Sequence, residues 1–303
     1  MSRSTPLERT VRVPFPIDLA GTLHGVRRGV NSPTCEFRAD GIWRATRSPA
    51  GPSTMRLVAE GDLVHATAWG DGAEAALDVV PNLIGCHDDD EGFAPDHPLV
   101  ADLWHQHHAV RLPRSGAVSE TLVECVLEQR VTTFEARRAY TQIVHTWGEP
   151  APGPTTLLLP PDPEILAGVA YYDLHVAGVE KKRADTVRRV AANHRRLDAL
   201  ALLPHAEAHQ RLLQTPGVGP WTAAEVALVA LGDPDAVPVG DAHLPADVTY
   251  VLTGTAQDDD DAMLEALAPF DGQRGRVIRL IMAAGLHAPR RGPRYAPRDI
   301  RSQ

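Results

Sequence analysis

The chain has 303 residues, of which 43% are hydrophobic, a size that suggests about two domains with cores of their own. No apolar run approaches the ~18–20 residues of a membrane helix, the first residues lack an apolar stretch of signal-peptide length, and Cys35, Cys86 and Cys125 are too few and too scattered for a disulfide framework or a four-cysteine metal site, so a cytoplasmic protein is expected. The net charge of −9 argues mildly against nucleic acid as a partner, although only the field over a binding face decides that, and just two of the 30 basic residues, Lys181 and Lys182, are lysines.

Residues 1–72 read as strands and turns. Cys35 and Phe37 alternate with charged neighbours before a turn at Asp40-Gly41, and Met55–Ala59 and Leu63–Trp69 are strand-like pieces joined by Gly61-Asp62. Ala73–Leu83 and Leu99–His108 have helical composition, separated by the acidic stretch Cys86–Asp96, which is expected to be a solvated loop. From Ser119 onward the pattern is helical. Leu122, Val123, Val126 and Leu127 form an apolar stripe, and Thr132-Thr133-Phe134-Glu135 fits a capping box, which would leave Glu128–Val131 as a turn from which Gln129 and Arg130 project. A proline-rich connector spans 150–163, and helices are expected at about 163–170, 183–201 and 205–214.

The most informative junction follows. Leu212–Thr215 ends a helix, Pro216-Gly217-Val218-Gly219 turns, and Pro220 stands at the first position of a new helix that runs to a stop at Gly232. A helix, a Gly-x-Gly turn and a second helix expose backbone N–H groups without side chains to block an approaching phosphate, and the second helix adds partial positive charge. Taken alone this hairpin is equally well an ordinary corner between two helices. Past the extended Ala236-Val237-Pro238-Val239 comes Gly240-Asp241, with the aspartate 20 residues after Trp221.

Leu-x-x-Pro-Gly-Val-Gly-x-Trp-Thr-Ala (213–223) with an aspartate at that spacing resembles the helix–hairpin–helix DNA glycosylase superfamily, and more closely its alkylation-repair branch, 3-methyladenine DNA glycosylase II. Gly178–Ala184 and Pro269–Gly275 look like further landmarks, and the likeness covers about residues 115–287. The resemblance implies an α+β chain: a mixed antiparallel-sheet and helix domain over 1–113, an all-α helix–hairpin–helix glycosylase domain over 114–287, and a basic tail, 288–303, expected to be disordered. It implies a monomer that acts on double-stranded DNA containing damaged bases, with no cofactor and no catalytic metal, although an alkali cation between the hairpin carbonyls and the phosphate fits the family.

Residue by residue, Asp241 matches the catalytic aspartate of the family, a carboxylate that stabilises the positive charge built on the sugar as the N-glycosidic bond breaks. Trp221 takes the place of the Schiff-base lysine of bifunctional relatives, so the reaction is expected to be monofunctional, with Trp221 lining the base pocket. Glu225 stands where alkylpurine enzymes carry a pocket aromatic, and Ile281-Met282 lies near the place of a second pocket tryptophan; both departures leave the substrate open. Gln129 and Arg130 match the turn that fills the space left by the extruded nucleotide, and Pro216, Gly217, Val218 and Gly219 match the phosphate-binding hairpin. The expected activity is excision of alkylated purines, 3-methyladenine above all, in base-excision repair. The alternatives are a glycosylase for another lesion and a noncatalytic damaged-DNA-binding protein. His105, His107 and His108 lack a tight second ligand set for a metal, and His243 is a minor candidate for shaping the field at Asp241.

Overall fold

The computed structural model describes residues 5–289 and residue 300. Five strands, β1 (Leu7–Arg12), β2 (Cys35–Arg38), β3 (Gly41–Ser48), β4 (Gly51–Glu60) and β5 (Leu63–Trp69), pair antiparallel in the order β1-β5-β4-β3-β2. A short helix α1 (Leu19–Thr22) lies between the first two strands. The expected turns are where the sequence put them, and Gly41 and Gly61 take the left-handed conformations these tight reversals need. One face of the sheet, with Met55, Leu57, Val64 and Ala66, packs on α2 (Ala73–Leu83) through Leu77 and Val80. On the other face Trp43 and Trp69 stack with centroids 5.3 Å apart. There the proline-rich connector closes over them through Ala151, Leu157 and Leu159.

The remaining helices are α3 (Pro98–His107), α4 (Val118–Glu128), α5 (Thr133–Trp147), α6 (Pro163–Gly168), α7 (Tyr171–Val176), α8 (Lys181–Ala192), α9 (His194–Asp198), α10 (His205–Leu213), α11 (Pro220–Val226), α12 (Leu244–Thr253), α13 (Asp260–Leu267) and α14 (Arg274–Ala283). The α+β class and the all-α second half are as expected. The capping box is also present. Thr132 accepts from the Glu135 backbone while Glu135 reaches back to Thr132, so α4 and α5 are held apart by a short turn. Helix α4 is central, with Leu122 and Cys125 fully buried among the side chains of α8, α10 and α11, and Val126 among those of α5 and α8.

Two expectations are corrected. Helix α3 does not pack with the sheet: Val100 and Leu103 join the core made by α12, α13 and α14, because their apolar stripe meets Met263, Leu267 and Ile281. The acidic stretch is not a free loop either. Asp88 is buried, pairs through both carboxylate oxygens with the buried Arg276 at 2.6 and 2.9 Å, and also faces Arg111 at 3.3 Å. Arg111 in turn binds Asp90, so carboxylates that look solvated in sequence are spent neutralising two arginines that would otherwise be buried unpaired. The Arg-rich tail lies almost wholly outside the described residues.

Candidate active site

The hairpin is built as its sequence requires. Gly217 has φ +94°, and a Cβ there would come within 2.2 Å of the Thr186 hydroxyl on α8, so both conformation and packing demand glycine. Gly219 is extended, with open space where a Cβ would stand. Val218 is buried and its N–H is used by the Thr215 carbonyl, whereas no described residue accepts from the N–H of Gly217 or Gly219. Together with the first-turn N–H groups of α11, these donors make the helix start a suitable place for an anion. Two side chains brace the turn from behind: Arg189 Nη1 donates to the Pro216 carbonyl at 2.9 Å and Gln129 Nε2 to the Gly217 carbonyl at 3.0 Å.

Gln129 therefore parts company with Arg130. Its amide also donates to the Thr222 hydroxyl at 2.8 Å, which turns it inward onto the hairpin. Arg130 alone projects. It is exposed, and among the described residues it is the one non-glycine with positive φ, +56°, a strained backbone conformation.

Helix α11 presents Trp221 and Glu225 one turn apart. The Trp221 indole N–H donates to Asp241 Oδ2 at 2.9 Å. The other oxygen of Asp241 accepts from the backbone N–H of His243 at 2.8 Å and of Leu244 at 2.9 Å, where α12 begins. Asp241 is half-buried and has no ion-pair partner among the described residues, so three neutral N–H donors hold its carboxylate at a helix start. His243 contributes only its backbone, its imidazole being exposed. Ile281 is in the core and Met282 is 49% exposed.

Glu225 belongs to a charged cluster that the sequence did not disclose. Arg28, from the turn after α1, reaches across to α4 and α11: its Nη1 donates to Glu128 at 3.0 Å and to Glu225 at 3.3 Å, and its Nη2 faces Cys125 Sγ at 3.1 Å. Glu124 stands 3.9 Å from Arg28 Nε. Burial raises the Glu225 carboxyl above the usual glutamate range against the pull of Arg28, with Glu128 and Asp241 adding to the rise. Burial likewise pushes Glu124 up to about 7, opposed by Arg28 and reinforced by Glu120 and Glu128. Arg279 on α14 lies within electrostatic reach of Glu225. In this cluster the glutamates Glu124, Glu128 and Glu225 outnumber the arginines Arg28 and Arg279. Glu120, Glu124 and Glu128 recur every fourth residue, a stripe visible in the sequence beside the apolar one; their arginine partners, distant along the chain, were not.

The curated protein named "Probable bifunctional transcriptional activator/DNA repair enzyme AlkA" of Mycobacterium tuberculosis is 30% identical over 250 residues, 78% of this chain and 49% of that one. "Putative DNA-3-methyladenine glycosylase YfjP" of Bacillus subtilis is 26% identical over 149 residues, 48% of this chain and 51% of its own length. The chain thus spans about half the length of the curated relatives it matches. Among solved structures, a 3-methyladenine DNA-glycosylase from Archaeoglobus fulgidus superposes with a TM-score of 0.74 at 15% identity, covering 90% of this chain and 97% of that one. An 8-oxoguanine glycosylase/lyase from Clostridium acetobutylicum, in complex with double-stranded DNA, gives 0.69 at 14% identity over 94% and 98%. These structural likenesses speak to the fold alone. No family model matches the chain. Over 78% of its length the chain is homologous to AlkA-like 3-methyladenine DNA glycosylases of the helix–hairpin–helix superfamily, and its architecture is that of the glycosylase fold.

Proposed function

We propose that this protein is a monofunctional DNA glycosylase that extrudes alkylated purines, of the 3-methyladenine type, from damaged duplex DNA and hydrolyses their N-glycosidic bond in base-excision repair. The observation that carries the reading is the Asp241 carboxylate, held between the indole of Trp221, on the helix that the hairpin introduces, and the start of α12. The N–H groups of the hairpin grip one backbone phosphate and fix the register of the duplex. Arg130 enters the stack and offsets the cost of unstacking, a few kcal/mol, by placing its planar guanidinium where the base had been. The extruded base then lies against Trp221, with the acidic cluster beyond.

As the bond to the base lengthens, positive charge grows on the deoxyribose, and Asp241 stabilises it and orients the attacking water. A cationic purine is already a better leaving group than a neutral one, so the site needs to supply less, and excess carboxylate around Glu225 favours its entry. Trp221 in place of a lysine leaves no amine on this hairpin to attack C1′, so the backbone stays intact after base release. Incubating the protein with methylated genomic DNA should free N-alkylpurines and leave abasic sites that break only on heat or alkali. Release of no base would overturn the reading, and a borohydride-trapped protein–DNA adduct would overturn its monofunctional part.

A further inference from the structure

The turn that carries Arg28 is moulded onto the helical half of the molecule. A Cβ on Gly25 would touch Val229 and Arg279 at 3.2 and 3.3 Å, and one on Gly29, at φ +99°, would collide with Arg137 at 2.8 Å. Arg28 is thereby set opposite Glu225, although 197 residues separate them. Its bond to Glu128 at 3.0 Å is shorter than that to Glu225 at 3.3 Å, and its Nε, buried, makes no hydrogen bond at all. Glu225 accepts only through Oε2; its second oxygen takes no hydrogen bond from a described residue. The side chains of Arg28 and Glu225 are 14% and 22% exposed, so the pair is sheltered without being sealed off, with Trp221 one turn before Glu225 on α11 and Asp241 within electrostatic reach.

Resting on the glycosylase reading above, we infer that Arg28 and Glu225 together read the hydrogen-bonding edge of the extruded base, and that this edge is guanine's. Guanine offers, side by side, an acceptor at O6 and donors at N1 and N2. A carboxylate accepts two parallel N–H bonds, and a guanidinium next to it donates to the neighbouring oxygen. Adenine presents one amino donor beside the N1 lone pair, so a carboxylate matched to guanine sets an oxygen against that lone pair. A 7-alkylguanine keeps the whole edge and carries the positive charge that an acidic cluster welcomes. On binding, the base N–H groups replace the longer Arg28–Glu225 bond, while Glu128 continues to hold the guanidinium. A site built on such bonds penalises a base that leaves its buried polar groups unpaired far more than a merely apolar slot does.

The test is the ratio of 7-methylguanine to 3-methyladenine freed from methylated genomic DNA, corrected for spontaneous loss, by the wild type, Glu225→Gln and Arg28→Lys. The wild type should release 7-methylguanine, and either substitution should slow that release at least ~10-fold while 3-methyladenine changes less than ~3-fold. Melting curves identify a variant that does not fold, and the wild-type ratio stands without it. Equal losses on both bases, or an unchanged ratio, would overturn the inference and leave Arg28 a domain tie. Release of 3-methyladenine without 7-methylguanine would also overturn it while the glycosylase reading survives, and release of neither would remove both.

Discussion

Asp241 and Trp221 are joined by a hydrogen bond, and on the proposed reading the tryptophan acts through the aspartate as well as through its ring. The indole N–H is one of three donors that set the carboxylate's orientation. Trp221→Phe removes that donor and keeps an aromatic wall, so excision should fall by about tenfold, as expected for a lost hydrogen bond to a charged group. Affinity for an abasic duplex should hardly move; an equal loss in affinity would mean that Trp221 matters for base contact and not for aligning Asp241. The family resemblance pointed to both residues, but not to this bond, since a motif and a 20-residue separation say nothing about which atom of a tryptophan points where.

Among the elements, the hairpin separates two uses of glycine that look alike in sequence. Gly217→Ala should lower stability by about 1–3 kcal/mol, because its φ of +94° and the Thr186 hydroxyl 2.2 Å from a Cβ penalise any side chain. Gly219→Ala meets neither obstacle and should melt like the wild type, yet bind a lesion duplex about tenfold more weakly, since the methyl group stands where the phosphate approaches. Thermal melting and fluorescence anisotropy of the two variants check this, and a Gly219→Ala protein with undiminished affinity would contradict the phosphate assignment. Local devices of this kind, the capping box at Thr132 and the proline at the head of α11 included, were legible because each is complete within a few residues. Gln129 was not, since its partners Gly217 and Thr222 lie far along the chain and turn it from an apparent wedge into a brace.

Across the whole molecule, long-range ion pairs join pieces that composition had kept apart. Asp88 and Arg276, 188 residues apart, fasten the acidic stretch to α14, and both side chains are within 2% of full burial. Asp88→Ala should cost about 3–5 kcal/mol by leaving the guanidinium buried and unpaired. A chain-order reading sees only a charged loop there, just as it sees α3 beside α2 and not against α14. Glu124 gives the interface between the sheet and the helices a pH dependence. Facing Arg28, Glu120, Glu128 and Tyr140, it keeps its proton up to about 7, whereas an unfolded chain releases it near 4.5. Between those values the folded state binds the extra proton, so this group's contribution to stability falls as pH rises through the window and levels off above it. Glu124→Gln should therefore be more stable than the wild type at pH 8, by on the order of 1–3 kcal/mol, and lose that advantage by pH 5. Denaturation at the two pH values checks it.

The most direct measurement is single-turnover base release by Asp241→Asn beside its affinity for the same damaged duplex. Removing the charge while keeping the shape should slow release by about 10²–10⁴-fold and leave binding intact, because the hairpin and Arg130 are untouched. Release within a fewfold of the wild type would contradict the assignment of that carboxylate to the breaking bond.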